Sequence, residues 1–170
     1  VSAQTVGQPL PAWQDGEMDI HHINTGMGNA TFMILPDGTT LLVDAGALDP
    51  TETRTQSPRN TKAKPSAERQ PGEWIARYIR KVSKTPVVDY ALITHFHDDH
   101  MGTPTSISKK SGEGKYVLAG ITEVAEFVPV KKIIDRGWPG YAYPKPSMDT
   151  MIGNYRKFLD WQVKNKGLRV

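Results

Sequence analysis

A histidine-rich segment directly after a mostly apolar run is the strongest constraint on this chain. Three of its five histidines, His95, His97 and His100, lie within six residues, and Asp99 falls among them. Residues 87–94 are mostly apolar, which is typical of a buried strand in an α/β fold. Alternate side chains of an extended chain point the same way, so His95, His97 and Asp99 can converge. A turn at Asp99 would then bring His100 alongside them.

The side chains of this segment are of the types that bind divalent metal ions. Imidazole nitrogens and a carboxylate suit borderline ions such as Zn²⁺, and because the chain has no cysteine, any metal must be held by nitrogen and oxygen. The alternative is that the histidines satisfy buried backbone groups, or that the segment is a solvated loop. Three histidines at this spacing, delivered by a strand, favour a metal site over both alternatives.

The rest of the chain predicts an α/β fold with a mixed sheet, because strands and helices alternate after the first hairpin. Residues 50–72 are polar and proline-rich and are expected to form a long loop or an insertion. The apolar patterns predict strands over residues 18–23, 30–35, 39–43, 87–94, 116–119 and 130–134. The helical patterns cover residues 74–82, 121–127 and 151–163.

The segment 94–102 resembles the H-x-H-x-D-H signature of the metallo-β-lactamase superfamily and matches it in full. Residues 43–46 are similar to an earlier motif of that family, a strand that ends in Asp-x-Gly, and Asp89 lies where the family often has an acidic residue. The order and spacing of these features agree over residues 17–135. Residues 133–137 and the loop after them resemble the branch that contains the hydrolase-like domain of competence DNA-uptake proteins.

The resemblance implies two divalent metal ions, zinc in the first place with manganese as an alternative. His95 and His97 would bind the first ion, and Asp99 and His100 the second. Asp99 is also the candidate catalytic side chain. A metal-activated bridging water would be the nucleophile of a hydrolase. Asp44 would stabilise the segment 94–102, called the metal loop below, by hydrogen bonds. The alternative is that Asp44 caps the end of a strand.

The resemblance also implies ligands that this chain does not supply. The family usually adds a third histidine, a bridging aspartate and a last histidine from later segments, and no histidine follows His100. Asp135, at a strand end, is the candidate bridging residue, with a role as a turn residue as the alternative. We therefore expect weak or absent metal, and little activity, in this chain alone. The missing ligands would come from the same protein or from another chain.

The family fold is a four-layer αββα sandwich made of two similar halves. Residues 1–170 have elements for little more than the first half, so we expect a single, incomplete domain. A sheet with helices on one face only must bury its other face. The expected partner is therefore the missing C-terminal half or a self-associated copy of this chain.

The charge distribution bears on the substrate. Residues 1–53 contain seven acidic and no basic side chains, whereas residues 54–170 carry a net charge of +10. That excess favours a phosphodiester substrate over a lactone or β-lactam type of ester or amide. It also makes nucleic acid a candidate partner. A solvated basic surface without such a role is the plainer explanation. A non-catalytic binding or assembly module that retains the fold is the rival to an enzyme.

Two observations concern location in the cell. No apolar run is long enough to span a membrane, so no membrane-spanning segment is predicted. Residues 1–3 are similar to the small-x-Ala end of a cleaved signal peptide, which would place the protein in the periplasm or outside the cell. Without export the protein would be cytoplasmic.

Overall fold

A five-stranded mixed sheet organises the chain in the computed structural model, which describes residues 5–26, 28–62, 64–143, 145 and 149–170. The protein is of the α/β class, as its sequence predicts. The strands are β1 (Asp19–His22), β2 (Thr31–Ile34), β3 (Thr40–Val43), β4 (Val88–Leu92) and β5 (Val130–Ile134). The helices are α1 (Pro71–Val82), α2 (Asp98–Met101), α3 (Ile121–Phe127) and α4 (Thr150–Lys166).

The strands follow one another across the sheet in chain order. β1, β2 and β3 form an antiparallel meander, and a turn at Asp37-Gly38 connects β2 to β3. β3, β4 and β5 are parallel, so a crossover connection joins each to the next. Such crossovers are right-handed, which puts α1 and α3 on the same face of the sheet.

That face of the sheet carries the core. The register aligns Phe32, Leu42, Ala91 and Ile133 across four strands, and all four side chains are fully buried. Side chains of α1, α3 and α4 complete the same apolar cluster: Ile75, Ile79, Val124, Phe158 and Leu159. Helices therefore cover this face and exclude water from it.

The opposite face of the sheet remains accessible to solvent. Ile20 and Tyr90 belong to the row that also contains Met33 and Leu41, and they are 50% and 38% exposed. Ile134 at the end of β5 is 43% exposed. An accessible row of large apolar side chains is unusual for a sheet surface and is typical of a surface that binds another protein layer.

The structure differs from the sequence prediction most clearly at residues 116–119, where a strand was expected. This prediction is wrong: the segment has one isolated bridge, between Lys110 and Val117. The Val117 amide donates to the side chain of Asn154, and the Ser111 amide donates to the Tyr116 carbonyl, so these groups close a local turn and dock it on α4.

Other elements agree with the sequence patterns within a few residues. Helix α1 begins at Pro71, ahead of the predicted residue 74, because proline is well tolerated in a first helical turn. In the described part of the chain, no helix has the length and apolar composition required to cross a bilayer. Residues 1–3, the basis of the export prediction, lie outside the described residues.

A buried carboxyl group links α1 to α3. Glu123 is 4% exposed, and a Cβ placed at Gly72 would lie 2.7 Å from its side chain. Burial raises the pKa of Glu123 to about 7, and the negative charge of Glu73 adds to this effect. Hydrogen bonds from the backbone at Glu73 and Gly72, and the positive charge of Lys109, lower this pKa. The folded protein therefore holds a proton on Glu123 more tightly than the unfolded chain does.

This difference predicts a pH-dependent stability. The pKa of Glu123 rises on folding from 4.5 to about 7. The contribution of the protonated Glu123 carboxyl to the free energy of unfolding is therefore fully present below pH 4.5 and is lost as the pH rises through about 7. The loss should be on the order of 3 kcal/mol. Urea unfolding of Glu123→Gln and the unmodified protein at pH 5 and pH 8 checks this. The variant should lose less stability between the two pH values.

Glu68→Gln is the matched control, because the Glu68 side chain is 79% exposed. It should have the same pH dependence as the unmodified protein. An equally steep dependence in Glu123→Gln would show that the Glu123 carboxyl does not titrate as described.

A candidate metal centre at the carboxyl ends of β3 and β4

The histidine-rich segment begins where two parallel strands end. β3 ends at Val43 and β4 at Leu92, and the two lie side by side in the sheet. The Asp44 amide donates to the Leu92 carbonyl at 2.8 Å, which extends this pairing past the last strand residue. Residues that follow the two strands therefore meet at one edge of the sheet, where sites in parallel sheets commonly form.

Asp44 is the buried centre of this edge. Its side chain is 1% exposed, and its φ of 60° lies in the left-handed region, which aspartate tolerates better than most residues. The carboxylate accepts hydrogen bonds from the Thr94 amide (2.9 Å) and the Thr94 hydroxyl (2.8 Å). It also accepts from Asn29 Nδ2 (3.2 Å) and is 2.7 Å from His100 Nδ1.

The contact with Asp44 orients the His100 ring. An ionised carboxylate can only accept hydrogen bonds, so Nδ1 of His100 must carry the proton of this interaction. Nε2 of His100 is then left with its lone pair, and it lies 3.6 Å from Asp99 Oδ2. A carboxylate behind a histidine is the common way in which proteins fix the tautomer of a metal ligand.

His95, Asp99 and His100 form a group that can hold a metal ion. One ligand atom from each lies within 4.8 Å of the other two, and all three residues are partly accessible. Two ligands of a tetrahedral zinc ion, each at about 2.0–2.1 Å, lie roughly 3.3 Å apart. The 3.6 Å between His100 and Asp99 is close to that separation. The donor types, and the separation of this one pair, therefore suit a zinc-type ion.

The protonation state of His95 also suits metal binding. Burial lowers the pKa of His95, and the neighbouring rings of His100 and His97 lower it further, whereas Asp44 and Asp99 partly oppose the shift. A lowered pKa keeps the imidazole neutral near pH 7. The neutral imidazole is the form that binds a metal ion.

His97 lies beside the group without belonging to it. Its ring centroid is 4.6 Å from that of His95. Among the described residues, however, the ligand atoms that lie within 4.8 Å of one another belong to His95, Asp99 and His100. The physical reason is that α2 begins directly after His97, which is its N-cap residue. The helical turn carries residues 99 and 100 back towards His95, whereas an extended chain would align His97 with them.

Asp135, the predicted candidate for a bridging ligand, has other partners. Its carboxylate accepts from the amides of Gly137 (2.8 Å) and Trp138 (3.0 Å). It also accepts from the hydroxyls of Tyr141 (2.6 Å) and Tyr155 (3.0 Å). These bonds fasten the loop after β5 to α4, and the structure does not group Asp135 with the described histidines of the metal loop.

Gly46 and Asn29 also hold the metal loop, and the sequence carries a signal for Gly46 but none for Asn29. A Cβ at Gly46 would lie 2.0 Å from the Asp99 carbonyl oxygen, so only glycine allows this approach. The Asn29 amide donates to the same carbonyl at 2.7 Å. Gly46 belongs to the Asp-x-Gly motif, but Asn29 carries no signal because its partners, Asp44 and Asp99, are distant in sequence.

Comparison with known proteins gives a partial match to a relative. No protein-family model matches the chain. Over 54 residues the chain is 43% identical to a Nanoarchaeum equitans protein named UPF0173 metal-dependent hydrolase. The match covers 32% of this chain and 22% of that relative, so the chain spans about a fifth of the relative's length. The chain is thus similar to a metal-dependent hydrolase and has a His/Asp group that can hold a metal ion.

Asp44→Asn tests whether Asp44 supports the metal loop. Asparagine also tolerates the left-handed backbone, but it lacks the charge and presents an amide group to His100 Nδ1. We expect the free energy of unfolding to fall by about 1–3 kcal/mol, because a buried hydrogen-bond network is broken. Zinc affinity should fall about ten- to a hundredfold. Urea unfolding and isothermal titration calorimetry measure the two effects.

Asp160→Asn removes an exposed aspartate from α4 and is the control for the loss of one negative charge. It should leave both measurements unchanged. If Asp44→Asn lost stability but bound zinc as tightly as the unmodified protein, Asp44 would support the fold without orienting His100.

Proposed function

We propose that this chain is, or belongs to, a divalent-metal-dependent hydrolase of the metallo-β-lactamase superfamily. The observation that carries the proposal is the His95, Asp99 and His100 group, with Asp44 hydrogen-bonded behind His100. A structural role for these side chains would not require ligand atoms from two imidazoles and a carboxylate to converge on one accessible point. The partial similarity to a protein named as a metal-dependent hydrolase adds support.

In this proposal, His95, Asp99 and His100 hold one ion, with zinc or manganese as the metal. His97, beside His95, is the ligand for a second ion. A bound ion supplies a lowered pKa for a water molecule and a polarised carbonyl or phosphoryl oxygen. Asp44 keeps the proton on His100 Nδ1, so Nε2 remains a ligand. The Asp99 side chain is 39% exposed, so its carboxylate can also accept a proton from water at the site.

The ligand set is incomplete for two metal ions. Catalytic zinc ions normally have three protein ligands each, and the described part of the chain groups three such side chains in all. We leave Asp135 out of the set because its carboxylate already accepts four hydrogen bonds. We propose that residues 1–170 form one incomplete domain, the N-terminal half of the αββα sandwich, and that another segment or another chain completes the site.

For the substrate we propose phosphodiesters ahead of lactones and β-lactams. The net charge of +10 over residues 54–170 supports this order, because such a surface attracts phosphate groups. The resemblance of residues 133–137 to the competence-protein branch points the same way.

Metal titration tests the proposed site. Zinc or manganese should bind weakly and be removed by dialysis, because three partly exposed ligands from one short segment give an open site. His95→Ala and His100→Ala should each weaken binding at least tenfold, whereas His22→Ala, at an exposed position of β1, should not. Unchanged binding in His95→Ala would contradict the site. Stoichiometric zinc that resists dialysis would contradict the incomplete ligand set.

The complete protein, supplied with zinc or manganese, reports on the chemistry. Its hydrolysis of bis-(p-nitrophenyl) phosphate should exceed its hydrolysis of a lactone or a β-lactam. The reverse preference would overturn the proposed order of substrates. Full biological activity in a His95→Ala/His97→Ala protein would favour the non-catalytic binding module.

The accessible sheet face predicts self-association of the isolated chain. Apolar residues of β1, β4 and β5 lie on it, and a second copy of the same face is the partner that this preparation offers. Light scattering should therefore detect a dimer or a larger species. Tyr90→Lys/Ile134→Lys should shift it towards the monomer, whereas Val163→Lys, on helix α4, should not. A monodisperse monomer of the unmodified chain would contradict this prediction.

A further inference from the structure

A cavity of about 290 Å³ lies next to the metal loop, between the β1–β2 turn, the segment after β3, and the start of α1. Apolar side chains form much of its wall: Ile23, Leu48, Trp74, Ile75 and Ile107. The Trp74 ring is held in place, because its Nε1 donates to the Ser66 carbonyl at 3.2 Å. This volume is at the small end of the range for sites that bind small molecules.

The charged residues around this cavity have one sign. Lys62, Lys64 and Arg69 line it, and none of the described lining residues is acidic. Arg69 already has two acidic partners, because its Nε donates to Glu73 Oε1 at 2.6 Å and its Nη1 lies 3.5 Å from Glu68 Oε2. Lys62 and Lys64 are exposed and have no ion-pair partner in the described part of the chain. Two positive charges at the rim of an apolar cavity are therefore available to a ligand.

The cavity wall is continuous with the metal loop. The Ala47 amide donates to the Asp98 carbonyl (3.1 Å), and the Thr103 amide donates to the Ala47 carbonyl (3.0 Å), so Ala47 is bonded to the first residue of α2 and to the segment that follows this helix. Arg54 also forms an ion pair with Asp98, next to the wall residue Thr55. A molecule in the cavity would thus contact Ala47 and Thr103, which are hydrogen-bonded to each other, and Ala47 is in turn hydrogen-bonded to the first residue of the helix that carries Asp99 and His100.

We infer that this cavity binds a small organic anion with an apolar body, and that this anion is part of the substrate hydrolysed at the metal loop. The second clause rests on the proposed function, whereas the first does not. An apolar body gains free energy by entering the Trp74 wall, and a carboxylate or phosphate gains further from the two free lysines. A neutral molecule would gain only the first contribution, and a cationic molecule would be repelled.

Three naphthalene compounds of similar size separate these contributions. Isothermal titration calorimetry of metal-free protein with 2-naphthoate, 2-naphthalenemethanol and 2-naphthylmethylamine should rank their affinities in that order. Lys62→Ala/Lys64→Ala should reduce the affinity for 2-naphthoate by about five- to tenfold and leave the alcohol unaffected. Both lysines are exposed, so the variant should fold normally, which its thermal unfolding curve checks.

Lys157→Ala/Lys164→Ala is the matched control, because it removes two exposed lysines from α4 and the same net charge. It should bind 2-naphthoate as the unmodified protein does. Equal affinity for the amine and the carboxylate would overturn the inference. An unchanged 2-naphthoate affinity in Lys62→Ala/Lys64→Ala would overturn it as well, since binding would then lie elsewhere, for example on the accessible sheet face.

The two proposals can fail separately. Binding of 2-naphthoate as expected, with no hydrolysis of any ester or phosphodiester by the complete, metal-supplied protein, would remove the hydrolase and leave the anion site. Hydrolysis without 2-naphthoate binding, and without preference for anionic over neutral naphthyl esters, would remove the anion site and leave the hydrolase.

Discussion

The Asp44 carboxylate is the interaction on which the architecture of the site depends. A buried carboxylate is costly unless hydrogen bonds compensate for the water it has lost. Asp44 has four such interactions, and they come from three separate segments: the Asn29 turn, Thr94 after β4, and His100 on α2. One side chain therefore fixes the relative positions of three backbone segments and the orientation of one imidazole.

Parallel pairing of β3 and β4 makes this arrangement possible. Asp44 and Thr94 follow strands that run in the same direction, so both residues leave the sheet at the same edge. The Gly46 backbone then approaches the Asp99 carbonyl more closely than any side chain would permit. The metal loop is thus held by hydrogen bonds to the Asp44 carboxylate and by the contact between the Gly46 backbone and the Asp99 carbonyl. The fold itself therefore places His95, Asp99 and His100 next to one another.

The sequence predicted the α/β class and most elements, because periodicity and turn residues act locally. It also singled out the histidine-rich segment in which the structure brings His95, Asp99 and His100 together, since the histidines are close together in the chain. Features that depend on distant partners were not predictable: Asn29 reads as a turn residue, and Tyr155, which donates to the Asp135 carboxylate, lies on α4. The three nearer donors, Gly137, Trp138 and Tyr141, fit the alternative role of Asp135 as a turn residue. Whether the His97 side chain converges with those of His95, Asp99 and His100 depends on the residue at which α2 begins. The ends of helices are poorly defined by sequence patterns.

The candidate metal ligands and the lysines at the cavity lie on segments of different character. The ligands lie on a short segment fastened at both ends to the sheet edge, whereas the lysines lie in the polar segment between β3 and α1. Surface segments of this kind tolerate substitution, because few buried contacts depend on them. Changes at Lys62 or Lys64 would therefore alter the charge presented to a ligand without disturbing Asp44 or the histidines. The Arg54–Asp98 ion pair connects the polar segment to α2 at the protein surface.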